Sequence, residues 1–509
     1  ALSGAGRDAL GSWLWLGCSV MQRRRCIDGG VLKGIVMELK LYNTLSRAEE
    51  VIFAADGKVF RFYCCGPTVY GPAHIGNFRT FVLQDCFRRV VEAVGIETRH
   101  IRNVTDVDDK TIRDSQKAGR TLAEFTRHWR ECFEADCEAL NVLAPHVIPS
   151  AVEHIPEQIA LIEQLVEKGL AYQGEDGSVY FRISAFPGYG KLSGLNLEAN
   201  RANADQRLNA ADEYDKENIS DFALWKAWRP EDGENRWDSP WGAGRPGWHI
   251  ECSAMSMRYL GHSFDLHSGG IDLIFPHHEN EIAQSEGATG QPFARHWFHV
   301  AHLRVEDKKM SKSLGNLHTL DSIIDWGYQP MDLRYVLLSG HYRQPLNFRR
   351  HSLDGARTAL QRFSRLSKHL PSPSKVVVSK RQWGPFQAVI EALCDDLNTA
   401  RALGALHTAA GQLEKALKAN ALAEDEAQAA ADGLANAMQA FGFDLEKIAD
   451  DSAEQELAEV PAAISQMVEE REAARKAKDW GRADALRDAL HAEGWMVEDT
   501  PEGPLAKRR

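Results

Sequence analysis

Residues 61–104 restrict the fold more than any other stretch of this 509-residue chain. Arg61-Phe62-Tyr63-Cys64-Cys65 reads as a buried strand, stopped by Gly66-Pro67. A turn-rich loop containing Gly71-Pro72 follows. Phe78, Val82, Cys86, Phe87, Val90 and Val94 then recur at helical spacing. His100 to Val104 reads as a second strand. Strand, Gly-rich turn, helix and strand in that order open a parallel α/β sheet.

The chain as a whole is too long for one core and predicts about two to four domains. Residues 120–170 are strongly helical in pattern. Residues 171–245 are irregular and rich in Gly, Asn and Trp, as an insertion into the sheet domain would be. The α/β character returns from Trp248 to about Val336, and Ala- and Leu-rich helical spacing runs from Ala356 to Phe441. The acidic stretch Asp450–Glu459, closed by Pro461, reads as a linker before a last unit that runs from Ile464 to the basic end Lys507-Arg508-Arg509. The expected divisions are 37–125 and 246–350 for the two halves of the sheet domain, 126–245 for the insertion, 351–455 for a helical bundle and 456–509 for a C-terminal module. Residues 1–36 place an apolar patch (Trp13–Val20) before Arg23-Arg24-Arg25, the reverse of a secretory signal. They are expected to lie outside the folded domains, disordered or non-native, ahead of a start near Met37.

No run of about 18 apolar residues occurs, so no transmembrane helix is expected. A net charge of −12 does not announce a nucleic-acid partner, although a local basic patch would serve an acidic chain equally well. The nine cysteines are scattered and odd in number, which argues against a disulfide framework and for a reducing, cytoplasmic setting.

Thiols are then free for metal or substrate chemistry. Cys65 follows the first strand, Cys252 closes Gly-Trp-His-Ile-Glu-Cys, and His277 and Glu281 share Phe-Pro-His-His-Glu-Asn-Glu. With Pro276 in a first helical turn, His277 and Glu281 fall at i and i+4 on one face. Thiolate, imidazole and carboxylate together suit zinc. No CxxC pair supports the set, a lone buried Cys is usually packing, and His278 and Glu279 are adjacent alternatives.

Two further strings bracket the sheet domain. His74-Ile75-Gly76-Asn77 stands between the strand and the amphipathic helix, where unpaired N–H groups and the dipole attract phosphate. Gly76 lacks a Cβ and would let a base approach the backbone. Downstream, Lys308-Lys309-Met310-Ser311-Lys312-Ser313 offers lysines that can neutralise charge developing on a departing pyrophosphate. Each string alone is weak, and a solvated basic loop is the plain alternative for the second. The pair, in this order around an α/β domain, points to adenylyl transfer.

HIGN followed by KMSKS resembles the paired signatures of class I aminoacyl-tRNA synthetases, with Asn77 in place of the general pattern's final His. CGPTVYGPAHIGN (Cys65–Asn77), RNVTDVDDK (Arg102–Lys110), DFALWK (Asp221–Lys226), SPWGAGRPGWHIECSAM (Ser239–Met255), IDLIFPHHENEIAQS (Ile271–Ser285) and KMSKSLGN (Lys309–Asn316) resemble the cysteinyl-tRNA synthetase family, as do DDLNT (Asp395–Thr399) and ARKAKDWGRADALRD (Ala474–Asp488). The resemblance implies an α/β fold: a Rossmann-like parallel-sheet catalytic domain with an inserted connective domain, then an α-helical bundle and a small C-terminal α+β module. It implies one zinc held by Cys65, Cys252, His277 and Glu281, a cysteine pocket completed by Thr105, Trp248, His267 and Asp272, and ATP with Mg2+ between His74, Gly76, Asn77 and Lys312. Lys309 and Lys312 would join His74 and Asn77 in catalysis. Arg475, Trp480 and Asp484 would contact tRNA(Cys), the partner beside L-cysteine and ATP, in a monomer that acts away from membranes. Three rivals are weighed at this point: an ATP-dependent ligase joining cysteine to an amino sugar, which would lack the anticodon-reading tail; an inactive RNA-binding paralogue, which would have lost His74, Lys312 or a zinc ligand; and a general zinc RNA-binding module, which leaves the paired signatures unexplained.

Overall fold

The computed structural model describes residues 37–194, 221–310, 315–374, 382–448, 462–477, 479–493, 495–500 and 503–508. The expectations for residues 1–36, for the 450–459 linker and for the 455/456 division lie outside the described residues.

The central sheet is parallel. Strand β1 (Val59–Cys64) leads through a loop into helix α1 (Ile75–Ala93) and back to β2 (Glu97–Arg102), paired in parallel beside β1. Much later in the chain come α2 (Trp248–Leu260), β3 (Phe264–Gly270), α3 (Glu279–Thr289) and β4 (Ala294–Val300). The strand order is β4-β3-β1-β2, all parallel. The chain therefore leaves β1 towards β2 on one side and returns at β3 on the other. Between the carboxyl ends of β1 and β3 lies a switch point, the place where open α/β sheets bind ligands.

Strand alternation decides what faces that point. Phe60, Phe62 and Cys64 pack into the main core under α1, whereas Tyr63 and Cys65 pack into a second cluster with Ile101, Cys252 and Met255. Alternation along β1 and its exit thus sends Phe60, Phe62 and Cys64 to one face and Tyr63 and Cys65 to the other. Gly66 makes the sharp exit possible: its N–H donates to Asn103 Oδ1 at 2.8 Å, and a Cβ there would lie 2.7 Å from the Asn103 carbonyl carbon.

The helical expectation for 120–170 holds at its ends only. Helices span Leu122–Ala139 and Ile155–Glu167, but between them the chain runs extended beside β2, bridging Ile101 to Val147 and Val104 to Ser150. The 125/126 division falls within the first helix, whose Phe133 and Cys137 join the main core. The Gly- and Trp-rich stretch expected to be irregular contains a four-stranded antiparallel sheet: Ala171–Gln173, Val179–Phe181, Phe222–Ala227 and Gly244–Pro246. Its strands are three to six residues long, too short to register as periodicity against the intervening turns.

Helices Ser352–Lys368, Gln387–Cys394, Thr399–Lys418 and Glu424–Phe441 form the bundle, and their apolar faces continue the core of the sheet domain without a break. The last unit pairs helices Ala462–Lys476 and Trp480–Ala492 with a hairpin, Trp495–Thr500 and Gly503–Arg508, around Ile464, Val468, Leu490 and Trp495. Among the described residues no helix is long and apolar enough to cross a membrane.

Candidate active site

Four buried donors meet at the switch point. Cys65 arrives from the end of β1, Cys252 from α2, Glu281 from the first turn of α3, and His277 from the irregular turn Ile274–His278 just before it. Their ligand atoms lie within 4.8 Å of one another. The two Sγ atoms are 3.9 Å apart, Cys65 Sγ is 3.7 Å from Glu281 Oε1, and His277 Nε2 is 3.1 Å from the same oxygen. Pro276 precedes α3 rather than opening it, yet His277 and Glu281 still converge. A second set overlaps the first: Cys65, His267, His278 and Glu281, with His278 Nε2 3.4 Å from Cys65 Sγ. His278 is thus a neighbour of the set, as its place in the sequence allowed.

Burial penalises the charged forms of these groups, so their protonation reports on their partners. Burial alone would raise Cys252, but the bond from the Cys65 thiol and the nearby His277 bring it down to about 6. Burial would lower His277, but Glu281 and Cys252 hold it up at about 10. Glu281 is pushed up by burial and pulled down further by His267 and His277, to about 2. Burial, with the Cys252 thiol next to it, raises Cys65 well above the usual thiol range. A buried site that already favours a thiolate and a carboxylate, with both thiols free, fits a divalent soft-to-borderline metal. Buried charges are otherwise kept only when paired or metal-bound.

The shell around this set was not legible as such. His249 Nδ1 lies 3.0 Å from His277 Nδ1, and His278 Nδ1 lies 2.7 Å from His299 Nε2, whose other nitrogen meets Thr44 Oγ1 at 2.8 Å. Such partners fix which imidazole nitrogen faces inward. Glu279 accepts from the backbone N–H groups of Gly190, at 2.9 Å, and Ser193, at 2.7 Å, so it anchors the insertion to α3 rather than joining the donor set. Only the histidine richness of 277, 278 and 299 hinted at this network.

The residues expected in a substrate pocket divide. The Trp248 and His277 rings lie 4.2 Å apart, and His267 Nε2 is 2.8 Å from Glu281 Oε2, so both border the donor set. Thr105 is buried, with its hydroxyl donating at 2.9 Å to Oε2 of Glu251, the residue before Cys252 in the chain. Asp272 is exposed, and its charge acts on His74.

The two nucleotide strings meet. His74 caps α1: its Nδ1 accepts from Asn77 N at 3.2 Å, while Asn77 Oδ1 accepts from His74 N at 3.1 Å. Asn77 is therefore the reciprocal half of a capping box, a role a short amide fills well. Ile75 N donates to His318 O at 2.9 Å, and Met310 packs against Gly76. Lys309 is exposed on a two-residue strand, Lys308–Lys309. Lys312 lies outside the described residues. A Cβ on Gly76 would stand 3.0 Å from His74 Nδ1 and 3.2 Å from Met310 Sδ. Gly76→Ala is accordingly expected to displace the His74 ring.

Residues 52–358 match the family model for the tRNA synthetases class I (C) catalytic domain, residues 388–446 the DALR domain, and residues 457–503 the cysteinyl-tRNA ligase anticodon binding domain. A cysteine–tRNA ligase of Opitutus terrae is 49% identical over 473 residues, spanning 92% of this chain and 98% of that protein. One from Chlamydia caviae is 45% identical, with the same coverage of each chain. The chain belongs to the cysteine–tRNA ligase family. Its fold is that of class I synthetases: the methionyl-tRNA synthetase of Mycobacterium tuberculosis in complex with methionyl-adenylate superimposes with a TM-score of 0.53 at 16% identity, over 75% of this chain and 89% of that one.

The tail residues expected to meet RNA sit on the C-terminal module. Trp480 opens its helix and is 61% exposed, with Asp479 capping the same helix through Arg482 N at 3.2 Å. Arg475 is half-buried on the preceding helix, near Glu472 at 3.6 Å, and Asp484 pairs with Arg487 at 2.8 Å.

Proposed function

We propose that this chain activates L-cysteine with ATP and transfers it to the 3′ end of tRNA(Cys). The observation that carries this reading is the buried thiol–thiol–imidazole–carboxylate set at the sheet's switch point, one strand end away from the His74 cap. We assign Cys65, Cys252, His277 and Glu281 as holders of one zinc. Zinc, when bound, supplies a soft Lewis acid that takes a thiolate far better than a hydroxyl. That distinction is needed because cysteine and serine are close isosteres, which pocket shape separates by only about ten- to a few-hundred-fold.

In the first step the cysteine carboxylate attacks the α-phosphorus of ATP, and pyrophosphate leaves. His74 and the α1 N-terminus receive the phosphates, and Lys309 and Lys312 offset the charge growing on the leaving group, with Mg2+ accompanying ATP. In the second, the terminal ribose hydroxyl of tRNA attacks the adenylate carbonyl and AMP leaves. No side chain acts as nucleophile, so the rate comes from positioning and charge stabilisation. Asp272, on the loop between β3 and α3, is assigned to the substrate ammonium. The seven free thiols among the described residues suit a cytoplasmic, reducing setting.

Trp480, with Lys476 and Arg482 near it in sequence, suits stacking of an unpaired anticodon base and contact with phosphate. Trp480→Ala is expected to weaken tRNA charging by about 1–3 kcal/mol, the worth of one base stacked on an aromatic ring. Cysteine-dependent pyrophosphate exchange should be unaffected. Charging assays with tRNA carrying the cysteine anticodon check this. Exchange without any charging by the wild-type chain would instead favour a ligase that passes cysteine to a small amine.

A further inference from the structure

Arg79 is fully buried on α1, one turn after Ile75. Among the described residues it has no carboxylate partner. Nη1 donates to His302 O at 3.3 Å, and Nη2 donates to His341 O at 3.2 Å and to Gln344 O at 2.6 Å. Burial alone lowers its pKa, to about 10. A buried guanidinium held only by backbone carbonyls is costly, and filling core space would not require it.

The carbonyls it gathers share one destination. His302 directly precedes Leu303–Val305, which pairs antiparallel with Lys308–Lys309 and in parallel with Leu346–Phe348. Gln344 precedes the latter strand, and Leu346 N itself donates to His302 O at 3.1 Å. The hairpin turn is demanding: Glu306 and Asp307 have φ of 46° and 62°, in the left-handed region. Asn347 braces it, accepting from Asp307 N at 2.8 Å and donating to Asp307 Oδ1 at 2.7 Å. Beyond Lys309, Met310 returns to Gly76 at the head of α1. One side chain of the helix that His74 caps therefore fixes the base of the hairpin that carries Lys309.

We infer that Arg79 is a positioning residue for adenylation, setting the register of the lysine hairpin over the α1 N-terminus without touching the nucleotide. This rests on the reading of His74 and Lys309 as the ATP site. A lysine at position 79 keeps the charge but cannot fork to both loops.

The test uses the full chain in cysteine-dependent pyrophosphate exchange, with Arg79→Lys, Asn347→Ala, Lys309→Ala and the Arg79→Lys/Lys309→Ala pair. Arg79→Lys is expected to lower kcat at least tenfold while the cysteine KM and bound zinc stay within twofold of wild type. Its effect should shrink severalfold when Lys309 is already gone, since the two act through one element. Asn347→Ala, which leaves the buried guanidinium intact, should lower kcat severalfold by the same route, and this holds the inference to account even if Arg79→Lys fails to fold. A lower melting temperature with kcat and ATP KM unchanged, or a full Arg79→Lys effect in the Lys309→Ala background, overturns it and leaves Arg79 a structural clamp. Absence of exchange from the wild-type chain overturns the underlying ATP-site reading, and this inference with it.

Discussion

Cys252→Ser is expected to lose bound zinc and to lower kcat/KM for cysteine at least about 100-fold, the upper end of what metal sites lose when only a ligand's outer partner is removed. Serine is nearly isosteric, so the buried pocket between α2 and α3 should keep its shape. What changes is the donor: a hydroxyl is hard, resists deprotonation and makes a weak ligand for zinc. Cys252 is also the thiol whose surroundings favour the thiolate, through Cys65 and His277 and against the penalty of burial. Cys394→Ser provides the control, because Cys394 is equally buried but lies in the bundle core. It should keep its metal and its cysteine KM. Metal analysis by plasma emission, run beside exchange kinetics, separates the two. A Cys252→Ser protein with a full zinc complement and wild-type KM would remove Cys252 from the donor set.

Asp85→Asn should be the most destabilising substitution outside that site, at about 3–5 kcal/mol, the cost of breaking a buried ion pair from one side. Asp85 lies on α1, buried between two arginines: Arg89 Nε is 2.7 Å from Oδ2, and Arg334 Nη2 bonds the same oxygen. Arg334 also donates to Phe441 O at 2.7 Å and Leu140 O at 2.8 Å, so this knot ties α1 to the bundle and to the start of the insertion. Without the carboxylate, two guanidinium groups are left buried and uncompensated. Asp85→Asn/Arg334→Met should regain part of the loss, since one of those charges goes with it.

The pH dependence follows from the same knot. Burial tends to raise the Asp85 pKa, but Arg334 and Arg89 prevail and hold it below its ordinary 3.8. A carboxylate whose folded pKa is depressed stabilises the fold fully above the unfolded value, and that contribution is lost as pH falls through the folded pKa. The gap between wild type and Asp85→Asn, read as the midpoint of denaturant unfolding, should therefore be constant above about pH 5 and close below pH 3.8. A gap that persists unchanged at lower pH would mean the charge is not the source.

What the sequence made legible follows physical range. The β1–α1–β2 unit announced itself because its signals are local: a continuous apolar strand, Gly66-Pro67, and helical periodicity from Phe78 to Val94. The donor set needed the family's motifs, since Cys65 and Cys252 lie 187 positions apart and nothing local pairs them. Residues 140–151 fall within a helical pattern, but the bridges of Val147 and Ser150 to Ile101 and Val104 hold this stretch extended, a tertiary contact that composition does not carry. The small antiparallel sheet of the insertion leaves little trace in the sequence because its strands are only three to six residues long. Glu251, which receives the Thr105 hydroxyl, and Arg79, which gathers carbonyls from two distant loops, look like ordinary helix residues until the partners are seen.

In the proposed function, buried thiols and a metal, rather than pocket shape, choose cysteine. The most direct measurement is the ratio of cysteine- to serine-dependent pyrophosphate exchange, taken before and after removal of zinc with a chelator and again after its return. The account predicts a ratio well above the about 200-fold that shape alone can give, collapse of cysteine-dependent exchange on metal removal, and recovery when zinc is restored. Strong cysteine preference that survives complete removal of the metal from folded protein would contradict it.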